Sequence, residues 1–137
     1  MTEYLLDTDA VLTLFSPPPG AAVRIPLDEP SYVSTLTETE LRFGFQLVAG
    51  DPVRSTQRLN QLTRLLSTWS PLPVDGTVQQ AYTLVARAAL DAGQQPRRRQ
   101  LDLLIAATAL AHGMTLVTDD RRLATAVSSV VPVARLL

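Results

Sequence analysis

Tyr4-Leu5-Leu6-Asp7-Thr8-Asp9, followed by the apolar run from Ala10 to Phe15, decides how this chain folds. A short apolar segment that ends in a carboxylate and gives way to helical spacing reads as strand, turn and helix. Ser16-Pro17-Pro18-Pro19-Gly20 stops that helix, because each proline removes an amide donor and disfavours the helical region for the residue before it. The order then recurs. Ser31 to Ser34 reads as a strand, and from Thr37 the residues Leu41, Phe45, Val48 and Ala49 keep helical spacing as far as Gly50-Asp51-Pro52. Ser55 to Leu66 is a second amphipathic helix, with Leu59, Leu62, Leu65 and Leu66 on one side. Pro71 to Asp75 is extended, and Thr77 to Ala92 is a third helix stopped by Gly93. The helices at 55–66 and 77–92 are expected to form an antiparallel arm beside the sheet. Leu101 to His112 is apolar on nearly every face, which predicts a buried central helix closed by Gly113. Thr115 to Thr118 is a strand, Asp119 opens a short helix to about Val127, and Val130 to Val133 is a last short strand. Strands alternating with helices are the signature of a parallel sheet covered on both faces.

The 137 residues are 46% hydrophobic and 18% charged, as in a compact soluble protein. One domain, residues 1–137, is expected, burying about two-thirds of its unfolded surface. The absence of cysteine excludes a disulfide framework, thiolate metal sites and cysteine nucleophiles, and fits a reducing cytoplasm. No apolar run approaches ~18 residues and Met1-Thr2-Glu3-Tyr4 carries no basic leader, so neither membrane nor secretion is expected. Twelve basic and thirteen acidic residues give a net charge of −1, so no global charge advertises a nucleic-acid partner. All the basic residues are arginine. Chemistry that needs a lysine base, a Schiff base or a phosphate-binding lysine is excluded.

Ligands of a parallel α/β sheet bind outside the carboxyl ends of its strands. Asp7 and Asp9 lie where the first strand ends, Glu38 and Glu40 open the helix after the second, and Asp119 and Asp120 follow the Thr115 strand. Asp102 opens the buried helix before that strand. Each acid has a structural alternative: the aspartates as helix caps worth about 0.5–2 kcal/mol, and Glu40 in a capping box with Thr37. Together, clustered carboxylates repel and raise one another's pKa unless a cation sits among them. Oxygen donors without histidine or cysteine suit Mg²⁺ or Mn²⁺. His112, the one histidine, reads as a helix-end residue. Arg97-Arg98-Arg99 precedes Asp102, and planar guanidinium groups suit phosphate oxygens; Arg121 and Arg122 flank the other acidic site. Trp69, Tyr32, Phe43 and Phe45 read as core or interface.

These residues make the chain resemble the PIN-domain ribonucleases, specifically the VapC-type toxins of bacterial toxin–antitoxin pairs. The resemblance spans essentially the whole chain. It is carried by Tyr4 to Asp9, by Ser34 with Thr37 to Gly44, by Asp102 to Ala109, and by Leu116 to Asp120, in the family's order and near its spacings. It implies a three-layer α/β/α fold with a central parallel sheet of about four to five short strands and a helical arm. It also implies Mg²⁺-dependent (or Mn²⁺-dependent) hydrolysis of RNA, with Asp7, Glu40, Asp102 and Asp120 as catalytic and metal-binding acids. The family's Thr-x-Asp after the strand selects Asp120, with Asp119 a further candidate for the metal. Thr8, Arg97, Arg98, Arg99 and Arg121 are candidates for holding substrate. Leu101 departs from relatives that have a polar residue there. A homodimer, an RNA substrate and silencing by a cognate VapB-type antitoxin are the implied partnerships, in the cytoplasm.

Two other readings are open. Leu5-Leu6-Asp7-Thr8-Asp9 also resembles the opening of haloacid-dehalogenase-like phosphatases, but these use a lysine that this chain lacks, and Glu40 and Asp102 would have no role. A non-catalytic PIN-like protein that only binds RNA or a partner is the other reading, opposed by the presence of all four acids.

Overall fold

The structure, a computed structural model, describes residues 1–137. Its elements are β1 (Tyr4–Leu6), α1 (Thr8–Phe15), β2 (Ser31–Tyr32), α2 (Thr35–Leu47), α3 (Pro52–Thr68), α4 (Gly76–Asp91), a 3-10 turn (Pro96–Arg99), α5 (Gln100–His112), β3 (Thr115–Val117), α6 (Arg121–Val127) and β4 (Val133–Ala134). The four strands form one sheet in the order β2-β1-β3-β4, and every pair is parallel. Tyr4, Leu5 and Leu6 stand opposite Thr115, Leu116 and Val117.

Alternation along the strands makes the three layers. Leu5 and Leu116 point into a core shared with α4, α5 and α6, through Val78, Val85, Ile105 and Leu123 among others. Leu6 and Val117, one residue on, point into the opposite core with Val11 of α1, Leu41 of α2, Leu62 and Leu65 of α3, and Leu136. Leu5, Leu6, Leu116 and Val117 are completely buried, each contributing roughly 1.5–3 kcal/mol. The fold is therefore α/β with a covered parallel sheet, as expected, with four strands. α5 is buried along Leu103 and Ile105 to Ala109, and ends where Gly113 takes a left-handed φ of 67°. That turn lets the Met114 amide donate to the Ala109 carbonyl at 2.9 Å.

The structure corrects several expectations. The pairing of helices 55–66 and 77–92 does not form; α3 packs on α2 as a helical hairpin, whereas α4 packs on α5. Apolar area decides this, because α4 presents Val78, Ala81, Val85 and Ala89 to the α5 side of the sheet, whereas Leu62 and Leu65 of α3 face the other core. The α2 helix starts at Thr35, capped by the Ser34 hydroxyl, which accepts from the Leu36 amide at 3.0 Å. Thr37 is thus inside the helix, and no capping box with Glu40 forms. The last strand lies at Val133–Ala134 instead of Val130 to Val133. Val130 and Val131 are used in closing the turn after α6, both amides donating to the Val127 carbonyl, and Pro132 offers only its carbonyl, which accepts from Leu116. No helix is long and apolar enough to cross a membrane.

Candidate active site

In the order β2-β1-β3-β4 the direction of winding reverses between β1 and β3, and a crevice opens at their carboxyl ends. Asp7 follows β1 there, its amide donating to the Val117 carbonyl at 3.1 Å. Its Oδ1 caps α1 by accepting from the Ala10 amide at 2.8 Å, and the Thr118 hydroxyl, just past β3, helps to hold its pKa down. The cap and the candidate catalytic role fall on one side chain. Asp7 is only 5% exposed. Burial is the main reason its carboxyl is pushed up to about 6; the hydrogen bonds oppose that shift, and the charges of Asp9 and Asp102 add to it.

Glu40 arrives on α2, one turn beyond Thr37. The Thr8 hydroxyl donates to its Oε1 at 2.8 Å and lies 3.1 Å from the Thr37 hydroxyl. Thr8, a candidate for holding substrate, is therefore engaged in orienting an acid. Burial raises the Glu40 carboxyl above its ordinary range, the Thr8 hydrogen bond lowers it, and Asp102 and Asp9 raise it further. Asp102, in the first turn of α5, is likewise raised chiefly by burial; Arg99 opposes the shift, and Asp120 and Asp9 support it. Asp120 caps α6, its Oδ1 accepting from the amides of Arg122 and Leu123. Burial pulls Asp120 up, but the Leu123 amide, the Arg99 guanidinium and the Arg122 amide outweigh it and hold the group below its ordinary value.

Asp102 thus lies within electrostatic reach of Asp7, Glu40 and Asp120, and through it these four acids, far apart in the chain, gather around one crevice. Arg99 is the cation among them, 3.1 Å from Asp120 and 3.9 Å from Asp102. No three carboxylates are close enough to form a ready-made metal cage. The donor set nevertheless fits a hard divalent ion, since it is all carboxylate oxygen and three of its members are held above their ordinary pKa. Asp119 is turned elsewhere: its Oδ1 accepts from the Leu136 amide at 2.9 Å and lies 3.6 Å from Arg135.

Asp9, which the sequence places beside Asp7 at the end of the first strand, is not among the four acids that the resemblance selects. It is exposed at the mouth of the crevice and repels Asp7, Glu40 and Asp102 alike. Of the candidate arginines, Arg97, Arg98 and Arg99 line a cleft of about 380 Å³ with Glu40 and Asp102. Arg121 is exposed and lines no cleft; its neighbour Arg122 does.

A twisted parallel sheet that gathers carboxylates at its switch point defines a class of α/β proteins with an acidic crevice. Within that class the chain belongs to the PIN domain family, whose profile matches residues 4–127. Ribonuclease VapC4 of Mycobacterium tuberculosis (strain ATCC 25618 / H37Rv) is 36% identical over 88 residues, which span 64% of this chain and 65% of that relative. Among solved structures, FitAcB from Neisseria gonorrhoeae is similar at 26% identity with a TM-score of 0.72, the match covering 95% of each chain. VapBC-5 of Mycobacterium tuberculosis, a member of the VapBC family of toxin-antitoxin systems, shares the fold at 23% identity with a TM-score of 0.73, covering 99% of this chain and 98% of that one.

Proposed function

We propose that this chain is a VapC-type toxin, a divalent-metal-dependent endoribonuclease that hydrolyses RNA phosphodiester bonds in the cytoplasm and is silenced by a VapB-type antitoxin. The observation that carries the reading is the convergence of Asp7, Glu40, Asp102 and Asp120 at the switch point, with burial working against the charge of three of them. The similarity to Ribonuclease VapC4 and to the VapBC-5 fold supports the substrate and the partner. A homodimer of single PIN domains is part of the same reading.

Asp7, Glu40, Asp102 and Asp120 would hold Mg²⁺ or Mn²⁺. A bound ion supplies positive charge that offsets the carboxylates, polarises the scissile phosphate and makes a water acidic. The chain's own groups do the rest. The Thr8 hydroxyl fixes the orientation of Glu40, and the Ala10 amide that of Asp7. Glu40 spends Oε1 on the Thr8 hydroxyl, so its Oε2, which has no protein donor, is the oxygen left to face the crevice; a carboxylate not engaged by the metal would orient the attacking water or take its proton. Asp9 widens the acidic mouth and Asp119 stands outside the chemistry.

Purified chain, freed of any antitoxin, should cut total RNA with Mg²⁺ present and stop in EDTA, and Asp7→Asn should lose at least about 100-fold in rate. Cleavage that is indifferent to EDTA and to Asp7→Asn overturns the mechanism.

A further inference from the structure

Beside the acidic crevice lies a second cavity, about 310 Å³, lined by Gly93, Gln94, Gln95, Arg98, Arg99 and Arg122. It contains no apolar and no acidic side chain. Two separate segments build it. Gly93 takes a φ of 78° after α4 and turns the chain back, and Gln94 then reaches across to α6, its Nε2 donating to the Arg122 carbonyl at 2.8 Å. That bond ties the turn carrying Arg98 and Arg99 to the start of α6.

Arg99 is balanced by Asp120 and Asp102. Arg98 and Arg122 have no acidic partner within 4.0 Å, although the cavity brings them together. A cavity lined by arginines that lack a counter-charge stays positive, and an anion with several oxygens offsets that charge while accepting their planar donors. Arg98 and Arg99 also line the cleft shared with Glu40 and Asp102. The two cavities are thus joined along a wall of arginine.

We infer that the cavity bounded by Gln94, Arg98, Arg99 and Arg122 is a subsite for an RNA backbone phosphate neighbouring the one in the acidic crevice. This rests on the nuclease reading for its substrate, but the binding stands or falls on its own. Arg98 and Arg122 grip the phosphate, and Arg99 passes between phosphate and acids. The nucleotide next to the scissile bond is held in register by groups that take no part in the chemistry.

The test is fluorescence anisotropy with a labelled single-stranded RNA of about 12 nucleotides, in EDTA so that cleavage does not compete. Arg98→Gln/Arg122→Gln should weaken binding at least about tenfold. It should also make the fall of log affinity with log salt shallower by about 0.7 for each lost phosphate contact. Inorganic phosphate should compete with RNA on the wild-type chain and much less on the double variant. Circular dichroism checks folding, and each single variant repeats the test if the double one melts early. Wild-type chain that binds no RNA, unchanged affinity and slope in every folded variant, or arginine dependence seen only with an acidic peptide would each overturn the inference. A chain that binds RNA through these arginines and cuts none keeps the subsite and refutes the nuclease. One that cuts RNA and binds it regardless of both arginines does the reverse.

Discussion

Asp7 carries three demands on one carboxyl: it caps α1, it is buried, and it faces other acids. Below about pH 4 the group is protonated in folded and unfolded chains alike, given its ordinary value of 3.8; between there and about 6 only the folded chain holds the proton. Above that the folded chain must bury a charge, so stability falls as pH rises through this window, by about 3 kcal/mol at most. Asparagine caps a helix as well as aspartate. Asp7→Asn should therefore be more stable than wild type at pH 7, by about 1–2 kcal/mol, while losing cleavage, and its melting temperature should lack the decline between pH 4 and 6. Thermal unfolding across that range checks it; a less stable Asp7→Asn at pH 7 contradicts the charge-burial account. Thr8→Val removes the donor that lowers the Glu40 carboxyl, so the acidic limb of the cleavage pH profile should move to higher pH, with a rate loss of about 10–100-fold. Thr8→Ser should restore both. At this scale the sequence was informative about the positions of Asp7, Asp102 and Asp120, because each sits beside a strand end or helix start, and less so about Glu40, which lies in the second turn of α2. It was silent on Thr8 and Thr37 as the hydroxyls that orient Glu40, since a hydroxyl's neighbour 29 residues away leaves no local pattern.

Helix stops were the most legible elements, because prolines after α1 and Gly113 after α5 act through their own backbone chemistry. Gly113 should show this directly. A Cβ added there would touch nothing within 4 Å, so Gly113→Ala tests conformation alone. It should cost about 1–2 kcal/mol from the left-handed φ, read as a shift in the urea midpoint at constant slope. The start of α2 was less legible, since Ser34 and Thr37 are both good caps; pairing of Ser34 with Leu72 and of the Thr35 amide with the Leu72 carbonyl fixes the earlier one. Helix pairing was not legible at all. α3 and α4 both have an apolar stripe, and only the alternation of Leu5 against Leu6 on the strand decides which face each one covers.

Across the whole molecule, the C-terminal segment closes on the sheet beside the site. Leu136 is completely buried, its amide held by Asp119 and its carbonyl accepting from the Arg24 amide at 2.7 Å. Asp119→Ala should lower stability by about 1–2 kcal/mol and leave RNA cleavage intact at a temperature where it is folded. A loss of cleavage in a fully folded Asp119→Ala would draw this acid into the chemistry. β1, which carries Asp7, has neighbours on both sides, whereas Arg97, Arg98 and Arg99 sit in a short 3-10 turn at the rim. Deuterium uptake should accordingly be slowest at the amides of Leu5, Leu6 and Asp7 and quick through the arginine turn, a contrast of several orders of magnitude within one chain. The protein would then set its buried carboxylate against its stiffest plank and its row of arginines on a yielding rim, free to follow a ligand of differing curvature.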